Sequence, residues 1–445
     1  MTYQALRWLQ LLLRERCSPG LQLEQTEHTL VISHTGIPGQ IVFDALESGF
    51  TTPRFDPTCP TWDPSQEGWA APLGMPLPAP GMRQPGVLVI ELIGDSYYIH
   101  FDILGLAFWA LNRIEELGTA ALDAHGRFKS SSAHAVRHSY LERPVVDEWL
   151  EVLRQVMQRL WPSVRLNTSE FKTWVSHDVD RPSRYGFTTL AELSRRMGGD
   201  LLRRRRIRDC LMAPIIRHST RKQLHPDDPW NTFSWLMDVS ERQGLCSTFF
   251  FICGRSDLRL DADYEVEHPA IQGLIRQVHL RNHAIGLHPS YHSYLNEDLV
   301  KREARRLVSV CAANDVGLEA WGARMHYLRW SHPRTLEVLE SAGAAYDSSM
   351  TFPDRCGFRC GSCHDFTAFS PVEDRVLSIR IRPLVVMESS IIDSMGFGLG
   401  DEAYTKFMEI KAACRAVGGV FSLLWHNSSL ESVPAKGLYE RVISG

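Results

Sequence analysis

Trp174-Val175-Ser176-His177-Asp178-Val179-Asp180-Arg181-Pro182 is the stretch on which the fold turns. A short apolar run that stops at a proline reads as a strand, and successive strand side chains point to opposite faces. Period two sends Asp178 and Asp180 to one face and His177 and Val179 to the other. Two carboxylates then share a site. Like charges this close resist ionising together unless a cation or hydrogen-bond donors absorb the charge. The pair therefore reads either as a solvated turn or as a place for a metal ion or a proton transfer.

Outward from this strand, the chain from Phe171 alternates short apolar runs with helical stretches, the pattern of an alternating β/α domain. Strands are expected at Thr173 to Val179, Ser247 to Cys253, His283 to Leu287, Ala320 to Met325, Ala344 to Ser348, Val376 to Ile381 and Val420 to Trp425. Helices are expected at Thr188 to Arg208, Thr232 to Gln243, Pro269 to Arg281, Asn296 to Ala313, Pro333 to Ala342 and Ala403 to Val417. Residues 1–165 differ. They open with an amphipathic helix and continue through strand-like runs, Thr29 to Ser33 and Val87 to Ile93, around a loop rich in Pro, Gly and Trp from Pro53 to Pro85. Helical patterns follow at Ile103 to Leu117 and Val145 to Leu160, and the polar segment Asp123 to Ser139 between them is expected to wrap a surface. The division is an α+β module over 1–165 and a β/α barrel over 170–445. Length alone, 445 residues at ~150 per domain, would have suggested three units.

Composition excludes several classes. Hydrophobic residues at 44% and charged residues at 22% describe an ordinary globular chain. With 48 basic against 52 acidic residues the net charge is -4, which provides no field for a polyanion, so nucleic acid is excluded as a main partner. The ten cysteines are scattered, which suits a reducing compartment. Met1 to Cys17 lacks the pattern of a signal peptide and no apolar run is long enough to span a membrane. A cytoplasmic enzyme without a membrane span is expected; composition leaves its oligomeric state open.

Three further segments carry chemistry, each at the end of an apolar run. Ile285-Gly286-Leu287-His288-Pro289-Ser290-Tyr291-His292 places two imidazoles four apart, a spacing that on one helical turn can grip one ion. Gly322-Ala323-Arg324-Met325-His326-Tyr327-Leu328-Arg329-Trp330 offers a guanidinium that could orient a carboxylate, or reads as a surface loop with aromatic packing. Phe421-Ser422-Leu423-Leu424-Trp425-His426-Asn427 ends in a histidine that is either structural or a general acid. One carboxylate with two imidazoles suits zinc and similar divalent ions and leaves positions open for water and substrate.

The order Asp178-x-Asp180, His288-x3-His292, Arg324-x2-Tyr327 and Leu424-Trp425-His426 resembles the polysaccharide deacetylases, the family-4 carbohydrate esterases of NodB-homology type, over about residues 170–430. The resemblance implies a distorted (β/α)7-type barrel and a metal-dependent hydrolase that removes an N-acetyl group from an amino sugar in a glycan or glycan precursor. It implies Asp178 as catalytic base, Asp180, His288 and His292 as metal ligands, and Arg324 as the residue that orients Asp178. The Tyr327 N–H would hold the oxyanion and His426 would be the acid. One divalent ion is implied, zinc first, with cobalt, nickel or manganese as alternatives. His326, Trp330, Arg359 and Trp425 are expected to face an N-acetylated sugar or oligosaccharide.

The region Tyr98 to Trp161, with Phe101-Asp102-Ile103, Asp123-x-His125-Gly126-Arg127-Phe128 and Arg143-Pro144-Val145-Val146-Asp147-Glu148-Trp149, is similar to an uncharacterised module often found before such domains, a likeness that brings no activity.

The chain departs from the family pattern at Val179, which separates the two aspartates, at Pro289 after the first histidine, and at His326, where proline is usual. The family's acidic-aromatic fourth motif has only Asp347 as a candidate. Two rival readings stay open: a non-catalytic glycan-binding protein on the same fold, and another metal-dependent amidohydrolase or phosphoesterase. Cys356-x3-Cys360-x2-Cys363-His364 reads as a loop of reduced thiols or as a zinc knuckle. The basic run Arg203 to Arg206 with Arg208 reads as a helix end or interdomain contact, or as a phosphate site.

Overall fold

The computed structural model describes residues 1–83, 88–202, 204–318 and 320–445. Its main element is a nine-stranded sheet in the order Phe366–Ser370, Arg375–Ile381, Tyr346–Asp347, Gly322–Ala323, Ala284–His288, Thr248–Ile252, Lys172–Val179, Val420–Leu424 and Val386–Met387. Neighbours run parallel except at the hairpin Phe366–Ser370 with Arg375–Ile381. All seven strand positions read from the sequence are present. The two missed are the antiparallel edge strand and the two-residue Val386–Met387.

Parallel strands covered on both faces are apolar throughout, and all five residues of Thr248–Ile252 are buried. Gly286 and Gly322 lack side chains for a steric reason. A Cβ at Gly286 would meet the Phe250 ring at 2.4 Å, and one at Gly322 would meet the Tyr346 ring at 2.0 Å. Helices Phe233–Arg242, Pro269–Leu280, Glu297–Ala312, Arg334–Ser341, Asp401–Ala416 and Val433–Ser444 follow strands in sequence.

The distorted (β/α)7-type barrel expected from the sequence is met in part, by the large parallel sheet. No hydrogen-bonded ladder joins the two ends of the sheet among the described residues. Yet Arg375–Ile381 is the second strand from one end, next to the antiparallel edge strand, Val386–Met387 lies at the other end, and only residues 382–385 separate them. Five chain steps reach at most about 18 Å, less than the seven spacings of ~4.8 Å that would part these two strands in a flat sheet, so the sheet must curl. Pro383 lies in that link, and its missing N–H removes a ladder donor. The gap is bridged instead by the Val385 N–H donating to Ser422 Oγ at 2.9 Å and the Gly357 N–H donating to the Val385 carbonyl at 2.9 Å.

The single helix expected over Thr188 to Arg208 is a hairpin of two, Leu190–Leu202 and Ile207–Ser219. Arg205 takes a left-handed φ of 54° at the turn, a conformation that ends a helix. Of the basic run, Arg203 lies outside the described residues. Arg204 pairs with Asp200 at 3.1 Å, Arg206 with Glu431, and Arg208 with Asp227 at 3.0 Å.

The N-terminal part opens with helix Tyr3–Arg16, capped by the Thr2 hydroxyl, which accepts from the Ala5 N–H. Five strands follow in the order Leu21–Gln25, Leu30–His34, Ile37–Phe43, Ser96–Ile99, Ile90–Ile93. Val87, where the last of these was expected to begin, lies outside the described residues. Helix Ile103–Leu111 stops short of the expected Leu117 because Arg113 turns left-handed at φ 45°. Helix Val145–Leu160 is as read from the sequence.

One apolar core runs through both parts of the chain. Trp8 donates from Nε1 to the Thr367 carbonyl at 2.7 Å and packs on Phe108 and Phe369. Buried beside them, Glu116 accepts from Arg113 Nε at 2.7 Å and from Arg359 Nη2 at 2.6 Å. Burial opposes its ionisation, but the two guanidiniums outweigh it and hold the carboxyl at about 2. Removing Glu116 would leave buried Arg359 without a carboxylate, while Arg113 keeps Glu115 at 2.6 Å, and breaking such a buried pair costs about 3–5 kcal/mol.

Candidate active site

The carboxyl ends of parallel strands deliver their side chains to one edge of a sheet, where α/β proteins bind ligands. Asp178 is the penultimate residue of Lys172–Val179, His288 the last of Ala284–His288, and Arg324 follows Gly322–Ala323 directly. His426 stands two beyond Val420–Leu424. Alternation holds at the first strand. His177 turns outward, donates from Nδ1 to the Trp425 carbonyl at 2.7 Å and packs on Phe249, while Asp178 and Asp180 face a cavity of about 380 Å³.

Within that cavity three imidazoles converge on Asp180. His288 Nε2 lies 3.2 Å from Asp180 Oδ1, His326 Nε2 lies 3.7 Å from the same oxygen, and His426 Nε2 lies 3.7 Å from Oδ2. Each ring is set by its other nitrogen. His288 Nδ1 donates to the Arg324 carbonyl, His326 Nδ1 faces Asp261 Oδ1 at 3.0 Å, and His426 Nδ1 faces Glu388 Oε1 at 2.7 Å. An acceptor on Nδ1 fixes the tautomer and leaves Nε2 directed at the site.

Arg324 is fully buried. Its Nη1 donates to Asp178 Oδ1 at 2.9 Å and its Nε to the Ser348 carbonyl at 3.0 Å. Its guanidinium also lies over the Phe250 ring. The other Asp178 oxygen lies 3.6 Å from His288 Nε2.

Electrostatics separate the members of this cluster. Burial penalises the Asp180 carboxylate, but His326, His288 and His426 outweigh it and hold the group well below the usual carboxylate range. Burial likewise opposes protonation of His426, yet the Glu388 carboxylate and the two aspartates push it up to about 10. For His288, burial is outweighed by Asp178 and Asp180 and the shift is upward.

A divalent ion is implied by the donor chemistry, and the residues fit one. Asp180 Oδ1 is buried with no hydrogen-bond partner among the described residues. It lies with an imidazole nitrogen of His288 and of His326 in a group whose ligand atoms are all within 4.8 Å of one another. One carboxylate oxygen and two neutral imidazoles form a donor set of the zinc type.

Two other groups among the described residues meet the same spacing but are spoken for. In Asp147, Cys363 and His364, the carboxylate is paired with Arg16 at 3.0 Å and accepts from Ser362 and the Cys363 N–H. In Asp56, His134 and His138, both nitrogens of His134 are engaged, by Tyr140 and the Pro57 carbonyl. The three loop thiols do not form a knuckle. Cys356 faces Met395, Cys360 the Ser362 carbonyl and Cys363 the Asp147 carboxylate.

The structure does not bring His292 to this cluster. Its side chain is 54% exposed and lies 3.5 Å from Asp257. The helical turn that would have aligned it with His288 does not form: no helix begins until Glu297. Ser290 is instead drawn inward by Glu303, which accepts from its N–H at 2.8 Å and from its hydroxyl, and the Tyr291 N–H donates to Asp261 at 2.7 Å. The place of the second imidazole is taken by His326, which the sequence reading had put on the substrate wall.

The other three wall candidates also move. Trp330 is buried and stacks on His332, and Trp425 is buried against Phe407 and Tyr439. Arg359 is committed to Glu116 and to the Thr351 carbonyl, which it reaches at 2.8 Å. None of the three lines the cavity. Asp347, the fourth-motif candidate, lies buried below the site, where it accepts from Ser349.

Tyr327 lines the cavity with φ 60°, a left-handed conformation costly for a non-glycine residue and typical of functional loops. Its amide donates no hydrogen bond within the chain among the described residues. Its carbonyl accepts from Arg127 Nη1 at 2.8 Å, and its ring lies against His125 at 4.9 Å. Arg127 also lines the cavity, so the N-terminal part of the chain reaches into the site. Arg329 locks this contact by donating to the carbonyls of His125 and Tyr291 at 2.7 and 2.6 Å. Glu388 was not singled out from the sequence, and Arg127 was read only as part of the segment likened to the uncharacterised module, with no role at the site. Both act across distance in the chain; the only local signal was the polar segment Asp123 to Ser139, read as wrapping a surface.

Comparison with known proteins adds little to this geometry. A family of unknown function, DUF7033, matches residues 60–162, overlapping the region read as an uncharacterised module. No curated protein matches the sequence. Among solved structures, a Mycobacterium smegmatis protein provisionally described as a polysaccharide deacetylase aligns at 18% identity and a TM-score of 0.41, covering 62% of this chain and 84% of the other. Puue allantoinase aligns at 11% identity and a TM-score of 0.35 over the same shares. Likenesses of this size leave the chemistry to be argued from the chain's own residues.

Proposed function

We propose that the chain is a metal-dependent hydrolase that removes an N-acetyl group from an amino sugar in a glycan or glycan precursor. The observation that carries the reading is the convergence of His288, His326 and His426 on Asp180, with Asp178 held beside them by buried Arg324.

Asp180, His288 and His326 would hold a divalent ion, zinc first among candidates, which when bound supplies a Lewis acid for a carbonyl and for water. Asp178 would take the proton of the attacking water. Arg324 holds one of its oxygens and so fixes which one faces the reaction. As the amide carbon becomes tetrahedral, the Tyr327 N–H would donate to its oxygen, an interaction stronger in the transition state than in the substrate. His426 would then protonate the departing nitrogen. Burial opposes its protonation, but Glu388 and the two aspartates outweigh burial and push it up, the direction an acid requires, and the Glu388 contact sets it on the Asp180 oxygen opposite His288 and His326.

A cavity of about 380 Å³ suits one or two sugar rings more than a long polymer groove. Two arginines, Arg127 and Arg181, line it. The test is acetate release from a panel of N-acetylated sugars, sugar nucleotides and oligosaccharides, with metal content measured on the same sample. Acetate release lost on chelation and restored by metal is the expected result. Binding without release across the panel would favour a glycan-binding protein, and hydrolysis of simple amides alone another amidohydrolase.

A further inference from the structure

The hairpin Leu190–Leu202 and Ile207–Ser219 is larger than the sheet requires. It is inserted between strand Lys172–Val179 and helix Phe233–Arg242, the helix that leads to the next strand of the sheet. Its inner face has a small core of its own, where Leu193, Ala213 and Ile216 pack on Tyr185. Its outer face has no apolar partner among the described residues. Leu202 is 81% exposed, Ile207 61%, Leu211 70% and Ile215 53%. Ile207, Leu211 and Ile215 are four apart and so share one helical face.

Charge at the same tip is one-sided. Residues 190–222 contain ten basic and three acidic residues, in a chain whose net charge is -4. Arg204, Arg205 and Arg208 are exposed beside the apolar residues. A solvated helix end explains the arginines but not the leucines, and a soluble polyanion explains neither Leu202 nor Leu211. An anionic bilayer matches both, because its phosphate layer lies directly above hydrocarbon and arginine can hold its charge at the first while its stem lies in the second.

We propose that this hairpin docks the protein on an anionic membrane surface. The hairpin's root borders the cavity described above. Arg181 lines the cavity, and Arg184 ties the root to Asp200 at 2.5 Å and to Glu431 at 2.5 Å. The insertion leaves the sheet at the carboxyl edge of its strand, the edge that holds the site, so the docked tip brings the cavity close to the lipid. This inference stands on exposure and charge and does not need the hydrolase reading.

The test is co-sedimentation of the full chain with vesicles of phosphatidylcholine alone and of phosphatidylcholine with phosphatidylglycerol in equal parts. Binding is expected only to the anionic vesicles and is expected to weaken as salt is raised. The double substitution Leu202→Glu with Leu211→Glu, and separately Arg204→Gln with Arg205→Gln, should each reduce partitioning about tenfold or more, with circular dichroism unchanged. No association with either vesicle, or equal association with both, would overturn the proposal. So would soluble polyphosphate binding that the leucine variant leaves intact, or a concentration-dependent dimer that it abolishes, which would assign the face to a second copy.

Discussion

His326 Nδ1 and Asp261 Oδ1 lie 3.0 Å apart, and this contact, made from a loop that precedes His326 by 65 residues, turns the opposite ring nitrogen toward Asp180. The same Asp261 oxygen accepts from the Tyr291 N–H, so one carboxylate orients the imidazole that joins the cluster and also fixes the backbone that carries His292 away from it. His326→Ala should therefore reduce zinc affinity at least a hundredfold by competition titration, while His292→Ala leaves it unchanged. Asp261→Asn, which weakens the orienting contact, should cost about ten- to a hundredfold. Equal losses for His292→Ala and His326→Ala would sink the assignment.

Asp178 touches Arg324 and His288, but it is not in the group with ligand spacing. Asp178→Asn should keep bound metal yet lose turnover by about 10² to 10⁴, the usual value of a general base. Measuring metal content and acetate release on one sample separates the roles. Retained release would remove Asp178 as the base.

Glu388 is buried, and His426 presents both its N–H and its ring Nδ1 to the same carboxylate oxygen. Glu388→Gln keeps the shape and removes the charge. The expected result is a fall in kcat of about ten- to a hundredfold with little change in KM, because the residue acts through the acid and not on substrate. His426→Ala should cost more. Equal kcat for Glu388→Gln and the parent would show that the contact is only structural.

What could be read in advance follows from how parallel strands present their ends. Asp178, Asp180, His288, Arg324 and His426 each sit at or just past an apolar run, and period two sorted Asp178 from His177 correctly. The i,i+4 reading of His292 presumed a helix, but the conformation after Pro289 was decided by Glu303 and Asp261, neither of them local. Trp330, Arg359 and Trp425 were expected to face substrate, since aromatic rings and arginines often do. Burial against His332, Glu116 and Tyr439 is a tertiary fact that residue type does not carry. Arg127 was read only as part of the N-terminal module for the same reason: it reaches the site from a different part of the chain.

Arg127 holds the Tyr327 carbonyl and so supports the left-handed backbone of a residue that lines the cavity. It is a positioning residue under the proposed mechanism. Arg127→Ala should lower kcat about ten- to a hundredfold through misplacement of the Tyr327 N–H, and Arg127→Lys should recover part of the loss. A change confined to KM would place Arg127 on the substrate instead.

His332 lies away from the cavity, buried beside Trp330 at the contact between the two parts of the chain, and neither ring nitrogen has a hydrogen-bond partner among the described residues. Burial pushes it down to about 3; Glu116 opposes this, and Arg113 and Arg359 add to it. An imidazole with a folded value below its unfolded one near ~6.5 takes up its proton more readily when unfolded. Between those two values the unfolded state therefore binds more protons, and stability falls as pH drops from about 6.5 toward 3. One such group contributes a slope of up to about 1.4 kcal/mol per pH unit in that window. His332→Phe keeps a ring against Trp330 and removes the titration. Thermal denaturation at a series of pH values should show the parent losing stability on acidification more steeply than the variant, with the two converging in slope above pH 7. Parallel curves across the window would mean that His332 does not stay neutral in the folded chain.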